Sequence, residues 1–309
     1  MSARNGLEAR RYLTDGGLET TLIFDDGLEL PHFAAIHLMR DATGRAALTR
    51  YYERYIEVAR KYPGFGFVLE SPTWRSSADW GDRLGLGRAE LRVANAAAIH
   101  LMSELKARHA REAMPMLVSG CVGPRGDGYV AGELMRATTA EAYHDEQIAI
   151  MLDAGAELVS AITMTNTPEA IGIARAATRR GAPVVISFTV ETDGHLPSGQ
   201  TLREAIGEVD AASDEAPAYY MINCAHPAHF ADALETGAPW AARIGGIRAN
   251  ASKCSHAQLN EAAELDRGDP VQLGEAYRAL VARLPQLRVF GGCCGTAHEH
   301  VEAIAKALG

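Results

Sequence analysis

Two cysteines stand side by side in the sequence GGCCGT, close to the end of the 309 residues, and the chain has only five cysteines. The adjacent pair, Cys293 and Cys294, is poorly placed for a mutual disulfide, because the sulfur geometry strains the peptide that joins them. Reduced thiols that bind a metal or react are the better interpretation. Zinc binds thiolates readily and keeps one position open when it does chemistry. With Cys224 the pair would supply three zinc ligands; the alternative is that these thiols pack as small hydrophobic residues.

Eight short apolar runs, rich in β-branched residues, alternate along the chain with amphipathic stretches of helical period. This pattern predicts a parallel sheet that is covered on both faces. Eight such units favour a (β/α)8 TIM barrel of the α/β class that forms a single domain over residues 1–309, with a doubly wound sheet as the alternative. The predicted strands are RYLT, GFGFVLE, MPMLVSG, AELVSAITM, PVVISFT, YYMIN, RIGGIRA and LRVFGG.

Polar residues follow these predicted strands, and in a barrel the catalytic groups lie at the C-terminal strand ends. Four of the five cysteines do so, namely Cys121, Cys224, Cys293 and Cys294. Because the sixth and eighth strands are near neighbours around a barrel, Cys224 is expected close to the adjacent pair. The other candidates at this end are Asp15, Gly16, Glu19, Thr73, Trp74, Arg75, Asn223 and Asn250.

Three motifs, DGGLET near the start, YYMINCAHP at Cys224 and FGGCCGT at the adjacent pair, resemble the homocysteine S-methyltransferase family. That family includes betaine and S-methylmethionine homocysteine methyltransferases and the homocysteine domain of cobalamin-dependent methionine synthase. The resemblance implies a zinc-dependent (β/α)8 barrel in which Cys224, Cys293 and Cys294 bind Zn2+. It also implies that Asp15 and Gly16 lie at the acceptor end of the site.

The chemistry that this resemblance implies is methyl transfer to a thiol. A free thiol is mostly protonated at pH 7, and binding of its sulfur to zinc removes the proton and leaves the nucleophilic thiolate. The methyl donor would be a sulfonium or quaternary ammonium compound such as S-methylmethionine, and the acceptor homocysteine, which gives methionine. Aromatic faces hold such cations well. Trp74, Trp80 and Tyr129 are candidates for this cage, with packing within loops as the alternative for each.

Two residues depart from the family pattern near the predicted acceptor site. Many members carry a Glu-Thr pair after the fourth strand, and its carboxylate is thought to receive the homocysteine amino group. Here Ile162 stands at that place in SAITMTNTPEA. Arg75 adds a positive charge that suits a carboxylate on the donor or the acceptor. These changes leave open whether homocysteine or another thiol is the acceptor.

Composition limits the remaining classes of function. The chain is 47% hydrophobic and 22% charged, its net charge is −9, and Lys and Arg form no run, which disfavours nucleic-acid or acidic-membrane partners. No apolar run approaches the ~20 residues of a membrane span, and MSARNGLEARR has no apolar leader region, so we expect a cytoplasmic protein. The sequence leaves open whether it forms a homo-oligomer.

Two alternatives to a methyltransferase remain. One is a zinc-dependent hydrolase or lyase that activates water, although three thiolates make zinc a poor Lewis acid and favour binding of sulfur. The other is a non-catalytic barrel that binds zinc or a thiol as a sensor.

Overall fold

The computed structural model describes residues 10–262 and 264–309, and its centre is a closed barrel of eight parallel strands in sequential order. This confirms the predicted (β/α)8 barrel and excludes the doubly wound sheet. Residues 1–9, where we expect no apolar leader, lie outside the described residues, so a single domain over the full range 1–309 stays a prediction. The strands are β1 (Arg11–Leu13), β2 (Phe65–Glu70), β3 (Met116–Val122), β4 (Leu158–Met164), β5 (Val184–Thr189), β6 (Pro217–Asn223), β7 (Ile244–Ala249) and β8 (Val289–Gly292).

Helices follow the strands as the amphipathic stretches predict, with one exception. After β6 the chain forms only two four-residue helices and a short 3-10 turn, because Pro227 and Pro239 each start a new helical turn and cannot continue one. Among the described residues no helix is both long and apolar enough to cross a membrane. The helices are Leu18–Phe24, Ala42–Lys61, Ala78–Arg83, Arg88–His109, Ala137–Asp153, Thr167–Arg179, Leu202–Ser213, Pro227–Phe230, Pro239–Ala242, His256–Glu261, Pro270–Arg283 and His298–Leu308, and the 3-10 segments are Pro31–Phe33, Ala35–Arg40 and Ala231–Ala233.

The strands are buried on both faces, which explains their nearly continuous apolar sequences. One face packs against the helices in the larger core, and the other fills the interior of the barrel. The interior cluster contains Val68, Leu117 and Val185 at the level of the sheet, with Cys121 and Ile162 further toward the C-terminal ends of their strands. The barrel is therefore a packed core that opens into a site only at that end.

Candidate active site

Three cysteine sulfurs meet at the C-terminal ends of β6 and β8. The Sγ atoms of Cys224, Cys293 and Cys294 all lie within 4.8 Å of one another. The backbone N–H of Cys224 donates to the carbonyl of Arg248 at 3.1 Å, and that of Cys293 donates to Ala249 at 2.8 Å, so β7 fixes both positions from between. A set of three thiols at this spacing fits the ligand preference of zinc.

Two of these cysteines, Cys224 and Cys293, are joined as a disulfide in this structure. Metal binding requires both as free thiolates, so the cluster must be reduced before it can hold an ion. Cys121 is buried and lines the same cavity but does not belong to the group of three, and Cys254 is exposed and lies outside it.

A cavity lies in front of the cysteine cluster, and the empty space in it, part of which is open to solvent, is about 610 Å³. Seven of the predicted site residues line it, namely Asp15, Gly16, Glu19, Trp74, Cys224, Cys293 and Cys294. Four others do not. Arg75 lines a neighbouring outer cavity, and Thr73, Asn223 and Asn250 lie behind the wall.

The structure places Thr73, Asn223 and Asn250 outside the lining of this cavity, where neighbouring strands and loops bind most of their polar groups, although Asn250 Oδ1 has no partner among the described residues. Direct contact of these three residues with the substrate stays a prediction. The hydroxyl of Thr73 donates to the carbonyl of Cys121 at 2.6 Å. The Asn250 amide donates to the carbonyl of Cys224 at 3.0 Å. These side chains support the residues that form the site.

Asn223 supports an unusual backbone conformation at the end of β4. Its Oδ1 accepts from the Thr163 backbone N–H at 3.0 Å, and its Nδ2 donates to the Thr163 hydroxyl at 2.8 Å. Thr163 has a φ of 66°, which is a strained conformation for a β-branched residue, and the β4–β5 register shifts between Ala161 and Met164. The same Nδ2 lies 3.9 Å from the Cys293 Sγ, so Asn223 links the distorted strand end to the cysteine cluster.

A buried charge network forms part of the cavity wall, and three of its four members, Arg248, Glu70 and Tyr51, are not among the predicted site residues. Arg248 Nη2 donates to Asp15 Oδ1 at 2.7 Å, and Nη1 lies 4.0 Å from Glu70 Oε1. The Tyr51 hydroxyl donates to Asp15 Oδ2 at 3.0 Å. Arg248 and Glu70 both line the cavity. The sequence contained a signal for two of these residues. Arg248 lies inside the apolar run RIGGIRA, and Glu70 ends the run GFGFVLE. A charged residue in such a strand is rarely buried without a partner, so each of them indicated a polar neighbour.

Burial governs the titration of the acidic groups here. It raises the pKa of Asp15, although Arg248 and Tyr51 oppose the shift. Burial, with a smaller effect from the Asp15 charge, raises the pKa of Glu19 to about 7. The cavity therefore holds a carboxyl group whose charge changes near neutral pH.

The outer cavity adjoins the cluster through Cys294 and has aromatic walls that include Phe24, Phe33, Trp74 and Tyr129. The Tyr129 hydroxyl lies 3.3 Å from Cys294 Sγ and 3.9 Å from Cys224 Sγ. Trp80, the third candidate for an aromatic cage, is instead buried with its ring between Arg75 and Arg83, so its role is packing of the loop.

Ile162, at the place where many family members carry a glutamate, lines the inner cavity. Its side chain belongs to the apolar interior of the barrel, and its carbonyl accepts the Trp74 indole N–H at 3.0 Å. The cavity wall therefore has an apolar side chain at the place where many family members carry a glutamate.

Comparison with known proteins agrees with the motifs at these strand ends. A sequence model described as homocysteine S-methyltransferase matches residues 12–308, nearly the whole chain. The chain belongs to the homocysteine S-methyltransferase family. This confirms the resemblance seen in the sequence and, at the level of the family, the prediction of a methyltransferase.

Individual relatives of this family member are distant. It is 27% identical to the methionine synthase of Mycobacterium leprae over 198 residues, which are 62% of this chain and 16% of that protein. It is 32% identical to the homocysteine S-methyltransferase of Escherichia coli over 115 residues, covering 32% of this chain and 37% of that protein. The matches thus span a small part of these relatives.

Structural similarity to solved proteins covers the whole barrel. Crystal structures of the homocysteine methyltransferase MmuM from Escherichia coli superpose with TM-scores of 0.76 for an oxidized form and 0.75 for a metallated form, each at 21% identity. The oxidized form covers 97% of this chain and 96% of that chain, and the metallated form covers 98% of both.

Proposed function

We propose that this family member is a zinc-dependent S-methyltransferase that moves a methyl group from a sulfonium or quaternary ammonium donor to homocysteine, giving methionine. The observation that carries the proposal is the group of three cysteine thiols, Cys224, Cys293 and Cys294, at the mouth of a cavity in a barrel of this family. In the transfer, the bond between the methyl carbon and the onium atom breaks as the carbon–sulfur bond to the acceptor forms. The electron pair stays on the donor atom, which becomes neutral.

The three cysteines are the proposed zinc ligands. A zinc ion held by them would favour the thiolate form of an incoming thiol and so make its sulfur nucleophilic at neutral pH. The surrounding chain holds the ligands in place: β7 carbonyls fix Cys224 and Cys293, and the Tyr129 hydroxyl lies beside Cys294. A hydrogen bond from a neighbouring group to a metal ligand typically tunes metal affinity.

The outer cavity is the proposed donor site. A cationic donor is stabilised by aromatic faces, and Phe33, Trp74 and Tyr129 lie on its walls. Asp127, Glu264 and Asp266 line the same cavity and add negative charge. Arg75 is held there by the His32 carbonyl at 2.6 Å and by stacking on Trp74. A donor that carries a carboxylate, such as S-methylmethionine, matches both the acidic aromatic walls and this arginine.

Metal analysis tests the zinc site. The reduced protein, loaded with zinc and dialysed, is expected to retain about one ion per chain, and Cys293→Ser should lose most of it because two thiolates bind zinc weakly. Cys254→Ser is the matched control, since Cys254 is exposed and outside the cluster. Equal zinc content in all three proteins would rule out the proposed ligand set.

A matrix of donors and acceptors tests the reaction. S-methylmethionine, betaine, dimethylsulfoniopropionate and S-adenosylmethionine are each incubated with homocysteine and with other thiols, and the methylated products are measured by mass spectrometry. We expect methionine from homocysteine and at least one onium donor. Retained zinc without methylation of any thiol would instead favour the sensor, and substrate hydrolysis would favour the water-activating alternative.

The cytoplasmic location, the lack of nucleic-acid and membrane partners and a possible homo-oligomer remain predictions from composition. Small-molecule partners, a thiol acceptor and an onium donor, follow from the proposed reaction.

A further inference from the structure

We propose that Glu70 binds the α-ammonium group of the thiol acceptor and thereby selects amino-acid thiols over thiols that lack an amino group. This inference rests on the proposed function, because it assigns one end of the acceptor that the cysteine cluster activates. It answers a question that Ile162 raises: an acceptor ammonium needs an anionic partner, and the apolar wall at the end of β4 provides none.

Strand geometry directs Glu70 toward the acceptor cavity. Successive side chains of a strand point to opposite faces, so Val68 in the barrel interior puts Glu70 on the same face and Leu69 in the outer core. Glu70 is the last residue of β2 and lines the cavity. Ile162 lines it from β4, and β3 lies between the two strands. The carboxylate is thus located two strands away from the place where many family members carry theirs, but on the same wall.

Among the described carboxylates that line the cavity, Glu70 is the one with a fully buried oxygen that has no hydrogen-bond partner. The Oε2 atom is buried and makes no hydrogen bond to any of the described residues. The Glu70 residue as a whole is only 5% exposed. Asp15 differs, since Arg248 occupies its Oδ1 at 2.7 Å and Tyr51 its Oδ2 at 3.0 Å. A buried carboxylate oxygen without a partner is costly, and a ligand N–H that reaches it recovers this cost.

The charge balance of the wall also favours a cation. Asp15 and Glu70 face a single buried guanidinium, that of Arg248, which lies 2.7 Å from Asp15 but 4.0 Å from Glu70. With both carboxylates ionised the trio carries one net negative charge, which one ammonium group neutralises. Burial raises the pKa of Glu70, whereas Arg248 and the hydroxyls of Ser119 and Ser160 lower it. An arriving ammonium favours the ionised form in the same way as Arg248 does.

The other surfaces of the cavity suit the rest of an amino-acid thiol. Ile162 and Pro72 are apolar and line the same cavity as the charge network and the cysteines, so they offer an apolar surface to the methylene groups of the acceptor. The acceptor class is therefore an α-amino acid with a short thiol side chain, of which homocysteine is one.

The test compares homocysteine with 4-mercaptobutanoate, which is the same thiol acid without the amino group. A hydrogen bond to a charged partner contributes about 1.5–3 kcal/mol, so Glu70→Gln is expected to lower kcat/KM for homocysteine by roughly 10- to 150-fold, mainly through KM. For 4-mercaptobutanoate, kcat/KM should change by less than about threefold. Glu157→Gln is the matched control, because Glu157 pairs with Lys106 before the start of β4, outside the cavity, and should leave both acceptors unaffected.

Several outcomes would overturn the inference. An unchanged KM for homocysteine in Glu70→Gln would do so, as would equal losses for both acceptors. A selective loss in Glu19→Gln and none in Glu70→Gln would assign the ammonium to Glu19 instead. If Glu70→Gln fails to fold, Glu70→Asp replaces it; this change keeps the charge but shortens the side chain, and a selective rise of the homocysteine KM is again expected.

The inference and the proposed function can fail separately. If the zinc-loaded wild type methylates no thiol, the proposed reaction is wrong. Calorimetric binding of the two thiols to wild type and Glu70→Gln then still decides the role of Glu70. Preferential binding of homocysteine that disappears in Glu70→Gln supports it, and equal binding in both proteins contradicts it.

Discussion

At the scale of single residues, Glu19 makes the stability of the protein depend on pH. Burial raises the pKa of Glu19 from its ordinary 4.5 to about 7. A raised folded-state pKa means that the native state binds the proton more tightly than the unfolded chain does. The stabilisation from protonated Glu19 is therefore fully present below about pH 4.5 and is lost as the pH rises through about 7.

Removing this carboxylate should flatten the pH dependence of stability. Between pH 4.5 and 7.5 the free energy of unfolding is expected to fall in the wild type. In Glu19→Gln this fall should be smaller by on the order of 2 kcal/mol. Urea denaturation of the two proteins at matched zinc content measures the difference. Parallel pH profiles would show that Glu19 ionises normally in the folded protein.

Tyr129 lies beside two of the proposed metal ligands, Cys294 and Cys224. Its hydroxyl, 3.3 Å from Cys294 Sγ, can donate to the thiolate and stabilise it. Tyr129→Phe should weaken zinc binding by about tenfold, as is typical when a group that hydrogen-bonds a metal ligand is removed. Competition with a chromophoric chelator measures the affinity. Tyr62→Phe, a change outside both cavities, should bind zinc like the wild type, and equal affinity of all three proteins would exclude a role for the phenol.

At the scale of elements, the loop after β1 packs tightly against the end of β8. The Gly17 N–H donates to the Thr296 carbonyl at 3.0 Å, and a Cβ added at Gly17 would lie 2.6 Å from the carbonyl oxygen of Cys293. Gly17 has a φ of −77°, so the restriction is steric and not conformational. Glycine here lets two strand ends approach each other closely enough to form one site.

Gly17→Ala should therefore displace the Cys293 backbone and disturb the cysteine cluster. We expect clear losses of zinc content and methyl transfer, measured on the same preparation. Gly207→Ala is the matched control: this glycine lies within a helix with nothing within 4 Å of an added Cβ, so alanine should stabilise the protein by roughly 0.5–1 kcal/mol and leave zinc unchanged. Normal zinc content in Gly17→Ala would indicate that the backbone can shift without cost to the site.

The prediction of elements from sequence succeeded where the pattern is local. Apolar runs located all eight strands, and the amphipathic stretches between them predicted that helices alternate with the strands, because both patterns depend on residues that are close together in the sequence. The conformation of Thr163 was not predictable in this way. Its φ of 66° is held by Asn223, which is 60 positions away in the chain, and a local pattern contains no such information.

At the scale of the whole molecule, the buried pair of Arg248 and Asp15 links β7 to the loop after β1 across β8, where the barrel closes. Arg248→Met should lower the free energy of unfolding by about 3–5 kcal/mol, because it leaves Asp15 and Glu70 buried without a counter-charge. Arg88→Met is the control; Arg88 forms an exposed pair with Glu146 and should contribute about 1 kcal/mol or less. Chemical denaturation compares them, and similar losses would mean that the buried pair does not stabilise closure.

The sequence by itself determined the barrel and the meeting of the three cysteines, because strand periodicity and the parallel order of the strands bring their ends together whatever the loops do. The family followed from the resemblance of the motifs DGGLET, YYMINCAHP and FGGCCGT. Only the tertiary structure decided which polar groups face the cavity. Arg248 and Asp15 are 233 positions apart, and Tyr129 and Cys294 are 165 apart. Their contacts depend on barrel closure, on strand register and on the path of long loops, so no pattern of neighbouring residues could predict them.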